Sequence, residues 1–129
     1  RPRTALVFGR EPGALRGIYA SGGVGFLHDV LVAAGGDDVF SDIPRESLQA
    51  SAELMLTRQP DVIIELRTTA ATPEAVATER AVWQRLAAIP AVRAGRIHIL
   101  TDPAFSIPGP RIAAAARAFA DVLHPASGR

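Results

Sequence analysis

The 129-residue sequence contains no cysteine and no lysine, and only 5% of its residues are aromatic. The absence of cysteine excludes disulfides, thiolate zinc sites and cysteine nucleophiles. The absence of lysine excludes the P-loop motif, in which a lysine reaches the nucleotide phosphates. No uncharged apolar run approaches the length of about 18 residues that a membrane-spanning helix needs. The sequence therefore predicts no membrane span.

The sequence also lacks a large excess of charge of either sign. The basic residues are all arginines, and the 14 of them against 13 acidic residues give a formal net charge of +1. The arginines are scattered along the chain and form no stripe. A nearly neutral chain without a basic stripe lacks the electrostatic footprint of nucleic-acid binding. We therefore predict no nucleic-acid partner.

The length and the hydrophobic fraction of 48% suit one folded domain over residues 1–129. The sequence begins Arg-Pro-Arg, without an initiator methionine or a signal peptide. We interpret it as a mature domain or a fragment of a longer protein.

Short apolar runs alternate with amphipathic stretches along the chain. Runs rich in β-forming residues predict strands at 4–8, 18–20, 61–66 and 96–100. Apolar residues at helical spacing, with caps and prolines at the ends, predict helices over 21–34, 51–59, 72–89 and 110–124. Residues 37–50 are interpreted as irregular. This alternation predicts an α/β fold, a three-layer Rossmann-like lobe with a four- or five-stranded, mainly parallel sheet.

The carboxyl ends of parallel strands are where such sheets bind ligands. Here they are followed by residues 9–16, 67–72 and 102–109. Arg10 and Arg16 flank the first of these loops, and Tyr19 follows it. Two arginines beside an aromatic ring suit an anionic, partly flat ligand. A solvated loop with internal salt bridges explains the same residues, and both interpretations stay open.

Two further aromatic residues need an assignment. Phe105 lies in the loop after the last predicted strand, where it is either a ligand contact or a local plug. Trp83 is assigned to the core, because it lies on the apolar side of a predicted helix.

Catalytic and metal-binding motifs are weak. The glycine-rich residues 21–25 open a predicted helix and could cradle a phosphate, although no dinucleotide fingerprint is present. The sequence contains no Gly-x-Ser-x-Gly nucleophile elbow, and His28, His98 and His124 do not have the spacing of metal ligands. We therefore interpret these histidines as structural. No metal site and no cofactor is predicted. A small α/β enzyme domain that binds a nucleotide or phosphate remains the alternative function.

Four stretches carry a family resemblance in the expected order. They are residues 26–40 (FLHDVLVAAGGDDVF), 49–64 (QASAELMLTRQPDVII), 89–100 (IPAVRAGRIHIL) and the Gly-Pro-Arg helix at 108–123. Together they resemble the C-terminal lobe of ABC-transporter solute-binding proteins, in the helical-backbone branch that carries cobalamin, haem and ferric siderophores.

The resemblance implies a two-lobed, non-enzymatic protein whose lobes are joined by one long rigid helix. A metal chelate would be held between the lobes as cargo, without a cofactor, and delivered to an ABC permease. The chain would be the C-terminal half, located in the periplasm or at the cell envelope. Expressed alone, it would expose its inter-lobe face and could self-associate through it.

The resemblance also implies roles for individual residues. Arg10, Arg16 and Arg67 would face acidic groups of the ligand, and Tyr19 and Phe105 would stack on its flat parts. Asp102 would belong to the same ligand wall. Glu53 matches the glutamate of the family's Ser-x-Glu motif, which implies pairing with arginines of the permease.

Overall fold

The structure is a computed structural model that describes residues 1–67, 72–101 and 112–124. Its strands are β1 (Arg3–Gly9), β2 (Ile18–Ser21), β3 (Asp37–Asp38), β4 (Ser47–Ala50), β5 (Val62–Arg67) and β6 (Ile97–Thr101). Its helices are α1 (Phe26–Ala33), α2 (Ala52–Arg58), α3 (Pro73–Val82), α4 (Pro90–Arg93) and α5 (Ile112–Leu123), with a 3₁₀ turn at Trp83–Leu86.

The strands form one sheet in the order β4-β2-β1-β5-β6, with β3 paired to β1. β1 pairs parallel with β3 and β5, and β5 pairs parallel with β6. β2 is antiparallel to both β1 and β4, so among these strands only β2 runs in the opposite direction. The expected α/β fold with a mainly parallel sheet is confirmed.

The number of strands differs from the expectation of four or five, because the described residues form a sheet of six. The expectation that residues 37–50 are irregular was wrong, since β3 and β4 lie there. β3 has only two residues, both aspartates, and β4 is a four-residue edge strand that alternates exposed and buried positions. Such short strands lack the apolar run by which strands are recognised in a sequence.

Helices cover both faces of the sheet, which gives the three layers. One apolar cluster joins Ala5, Val7 and Ile63 of the sheet to Met55 of α2 and to Trp83, and it extends to α4. The cluster on the opposite face joins Leu6, Val62 and Ile64 to α1 and α5. Alternate residues of β1 and β5 thus point to opposite faces, as the pleat of a buried strand requires. Within the described part of the chain, no helix is long and apolar enough to cross a bilayer.

Helix ends follow local sequence signals at several positions. Ser51 and Thr72 cap α2 and α3 as expected, since their hydroxyl oxygens accept hydrogen bonds from backbone N–H groups three residues later. α1 begins at Phe26, later than the sequence predicts. The predicted helix over 72–89 is α3 as far as Val82 and then gives way to the 3₁₀ turn at Trp83.

Candidate functional site

Arg10 follows β1, and its side chain is completely buried. Its Nε donates a hydrogen bond of 3.0 Å to Oε1 of Glu65. Nη1 donates to Oε1 of Glu79 at 2.9 Å and to the carbonyl oxygen of Ala14 at 3.1 Å. Nη2 donates to the carbonyl oxygen of Glu79 at 2.9 Å. Arg10, expected in contact with a ligand, therefore has its guanidinium directed into the chain and matched by internal acceptors.

Glu65 is the partner of Arg10 on β5, and it is only 2% exposed. Its Oε1 accepts hydrogen bonds from Arg10 and from Nε1 of Trp83, the latter at 2.9 Å. Its Oε2 accepts from Nε of Arg67 at 2.9 Å. Both oxygens are satisfied, which a buried carboxylate requires to offset its loss of hydration. Sequence reasoning missed this residue, although an acid between the apolar residues of VIIEL was a signal.

Glu79 comes from α3 and completes the group. Its Oε1 accepts hydrogen bonds from Arg10 and from the backbone N–H of Gly13, the latter at 2.9 Å. The Gly13 N–H and the neighbouring arginines lower the pKa of the Glu79 carboxyl below its ordinary value, although partial burial opposes them. We call Arg10, Glu65, Arg67 and Glu79 the edge cluster. Its two positive and two negative charges sum to zero.

Arg67 is the partly exposed member of the edge cluster, with a side chain that is 25% accessible. Its Nη2 lies 2.7 Å from Oε2 of Glu65 and 3.5 Å from Oε1 of Glu79. Arg10 and Arg67 thus meet at the carboxyl ends of β1 and β5, because those strands are parallel neighbours. Their positive charge is already balanced by internal carboxylates.

Trp83 lies in the core, as the sequence predicts, and has no exposed surface. The Arg10 guanidinium carbon lies 5.4 Å from the centre of the indole ring, within the range of a cation–π contact. With its N–H donated to Glu65, the indole joins the edge cluster to the apolar core.

Arg16 and Tyr19 are the exposed members of the expected wall. The side chain of Arg16 is 77% accessible and makes a long, 3.5 Å ion pair with the exposed Glu11. Tyr19 is 44% exposed, and in the sheet it lies opposite Gly9 on one side and Gln49 on the other. Phe8, which sequence reasoning did not single out, is 36% exposed near the same end of β1. Asp102 and Phe105 lie outside the described residues.

Glu53 lies in the first turn of α2, directly after β4, and is exposed. β4 is antiparallel to β2 and therefore runs in the same direction as β1, so α2 starts at the carboxyl edge of the sheet. A shallow depression of about 430 Å³, lined by Arg16, Gly17 and residues 49–52 among others, lies between the start of α2 and the loop after β1. Glu53 and the exposed wall residues therefore share one edge.

The glycine-rich residues 21–25 do not present a free anion cradle. The N–H of Gly23 donates to the carbonyl oxygen of Ile43 at 2.8 Å, and the N–H of Gly22 donates to that of Glu46 at 3.3 Å. A Cβ on Gly23 would lie 2.2 Å from the carbonyl oxygen of Ser41. The glycines thus permit two backbone segments to pack closely, and the phosphate-binding alternative is not favoured.

His28 and His98 are neighbours of residues outside the edge cluster. Nδ1 of His28 lies 2.9 Å from Oδ2 of Asp38, and burial raises the pKa of that aspartate. His98 lies on β6 opposite Ile64, and burial lowers its pKa, with Arg96 and Arg80 adding to the effect. Among the described residues no three His, Asp or Glu side chains are grouped as a metal site.

Comparison with known proteins identifies the relatives of this chain. A family model described as periplasmic binding protein matches residues 1–104. A vitamin B12-binding protein from Pectobacterium carotovorum is 28% identical over 115 residues, which are 89% of this chain and 36% of that protein.

Solved structures of such proteins share the fold. An ABC-type Fe³⁺-hydroxamate transport protein from Saccharomonospora viridis superposes with a TM-score of 0.80 at 23% identity, over 96% of this chain and 42% of the other. A periplasmic haem-binding protein from Pseudomonas aeruginosa gives a TM-score of 0.75 at 23% identity, over 97% of this chain and 43% of the other. The chain therefore spans less than half the length of the relatives it matches.

Proposed function

Since the chain belongs to the periplasmic binding protein family, we propose that it is the C-terminal lobe of the solute-binding component of an ABC importer. The observation that carries this proposal is the edge at the carboxyl ends of β1 and β5, where Tyr19, Arg16 and Arg67 are exposed or partly exposed. A second lobe facing this edge would close a cleft around a ligand. The length of the relatives, of which this chain spans less than half, supports a missing lobe.

The proposed cargo is a metal chelate. The names of the relatives mention vitamin B12, Fe³⁺-hydroxamate and haem, which are all metal chelates. The protein would bind this cargo and release it unchanged, without catalysis and without a cofactor of its own. It would act in the periplasm or at the cell envelope, where an importer needs its binding protein.

The ligand wall divides into residues that touch the cargo and residues that hold the wall. Arg16 and Arg67 would face acidic groups of the chelate, and Tyr19 would stack on its flat or apolar parts. We assign Asp102 and Phe105 to the same wall from the family resemblance. Arg10, being buried, would contribute by holding the loop that carries Arg16.

The binding proposal is tested by titration of the full-length protein that contains this chain. The probes are a ferric hydroxamate, cyanocobalamin and haemin, followed through their absorption bands. We expect saturable one-to-one binding of one of them. Tyr19→Ala should weaken it roughly three- to tenfold through lost ring contact, whereas Val32→Ala, another exposed apolar position, should have no effect. Absence of binding for all three chelates would refute this cargo.

We also propose that Glu53 docks onto the permease. Its carboxylate is exposed at the same edge as the ligand wall, and the start of a helix favours negative charge. Ion pairs at the rim of an interface guide docking more than they add affinity.

The docking proposal is tested with Glu53→Ala in a transport assay. The initial rate of uptake should fall about two- to fivefold, the range of one exposed ion pair, while chelate affinity stays unchanged. Glu74→Ala is the matched control, because Glu74 is also exposed in the first turn of its helix. Unchanged uptake, or lost chelate affinity, would contradict this role.

A further inference from the structure

One oxygen atom on α3 holds several parts of the candidate site together. Oε1 of Glu79 accepts hydrogen bonds from Nη1 of Arg10 at 2.9 Å, from the backbone N–H of Gly13 at 2.9 Å and from Nη2 of Arg67 at 3.5 Å. The carbonyl oxygen of Glu79 accepts a further bond from Arg10. The loop after β1 and the end of β5 are therefore both tied to the same residue of α3.

The tied loop, residues 10–17, carries little regular structure of its own. Its internal backbone hydrogen bonds run from Glu11 to Arg16 at 2.9 Å and from Ala14 to Glu11 at 3.2 Å. Gly13 and Gly17 have φ values of +72° and +60°, a left-handed backbone that glycine adopts without strain. A loop with two such glycines has many alternative conformations in the absence of external contacts.

The charge balance of the edge cluster makes Glu79 hard to replace. Without its charge, two arginines would share the single carboxylate of Glu65. Arg10 is completely buried, whereas Arg67 is partly exposed. Arg67 is therefore the residue that would turn toward solvent, because exposing it costs less than leaving Arg10 unpaired.

We propose that Glu79 is a positioning residue for the ligand wall: it holds the loop after β1 in one conformation and fixes the direction of Arg67. This inference rests on the proposed function for the wall it positions. Glu79 does not itself contact the chelate in this scheme. It increases the fraction of protein whose wall is ready to bind, and apparent affinity rises with that fraction.

The first measurement is amide hydrogen exchange of residues 9–17 in the full-length protein, without ligand. Glu79→Ala should accelerate exchange at Gly13 by about tenfold or more, since it removes a hydrogen bond to a charged group. Glu79→Gln keeps an oxygen that can accept from Gly13 and should give a smaller increase. Glu74→Gln, on the exposed face of the same helix, is the matched control and should match the parent protein.

The second measurement is the Kd of whichever chelate the parent protein binds, taken far below the unfolding midpoint. Glu79→Gln should weaken binding roughly three- to tenfold through the reduced fraction of competent wall. Leu123→Ala removes a buried side chain from the opposite face of the sheet, so it lowers stability without touching the wall. Its affinity should be unchanged, which separates positioning from general stability.

The two measurements distinguish the failure of this inference from the failure of the proposed function. If no chelate binds the parent protein, the cargo proposal fails, while the exchange data still decide whether Glu79 holds the loop. Exchange in Glu79→Ala equal to that in Glu74→Gln would overturn the positioning role. Faster exchange with an unchanged Kd would overturn its link to binding.

Discussion

The carboxyl edge of the sheet carries two kinds of glutamate with opposite surroundings. Glu65 is buried and accepts hydrogen bonds from two arginines and an indole. Glu53 is exposed on α2. In the sequence both are single acids among apolar neighbours, so residue type does not separate them. Their burial and their hydrogen-bond partners do separate them. These differences predict that Glu65 contributes to folding stability, while Glu53 contributes to association with another molecule.

The largest effect should come from Glu65. Glu65→Ala leaves the buried Arg10 without its main partner on β5, and breaking a buried ion pair on one side costs roughly 3–5 kcal/mol. We expect the free energy of unfolding to fall by this amount in chemical denaturation. Glu11→Ala, at an exposed ion pair of the same loop, should change it by less than about 0.5 kcal/mol. Equal effects of the two substitutions would remove the distinction between buried and exposed glutamates.

Glu79 should have an intermediate effect on the free energy of unfolding, and this effect should depend on pH. Its folded-state pKa lies below the ordinary value of 4.5, so its ionised form stabilises the fold above pH 4.5. That contribution is lost as the pH falls through the lowered pKa. Glu79→Gln should therefore lower stability at neutral pH and flatten the loss of stability below pH 4.5, measured by denaturation at several pH values. A pH profile parallel to that of the parent protein would contradict the lowered pKa.

The smallest effect on stability should come from Glu53. Glu53→Gln removes an exposed charge, and such surface changes stay within about 0.5 kcal/mol. The unfolding midpoint in denaturant should be nearly unchanged, at neutral pH and in acid alike. A loss of stability comparable to that of Glu65→Ala would show that Glu53 makes contacts that stabilise the fold. Its proposed docking role would then lose its basis.

The sheet could be predicted where strands are apolar runs and not where they are short edges. β1, β5 and β6 are rich in large apolar and β-branched residues, and the sequence identifies all three. β4 offers one large apolar residue, Leu48, in four positions, which is too little for a periodic signal. β4 is a strand because its backbone pairs with β2 in the folded protein, and its own composition does not predict this pairing.

The candidate site was predictable in position but not in detail. Parallel strands bring Arg10 and Arg67 to one edge by topology alone, and that follows from the strand pattern. The two carboxylates that pair with Arg10 are 55 and 69 residues away in the sequence, and no local pattern predicts such pairings. Whether a charge faces a ligand or the interior therefore depended on the tertiary structure.

The close approach of residues 21–25 to residues 41–46 has a consequence for mutational tolerance. A side chain at Gly22 or Gly23 would place its Cβ 2.1 or 2.2 Å from a backbone oxygen of the facing segment, so even alanine forces two stretches of backbone apart. These stretches lead into α1 and β4 respectively. Saturation libraries should show both glycines as invariant on structural grounds, because the clash is with backbone atoms that no side-chain rotation can move away.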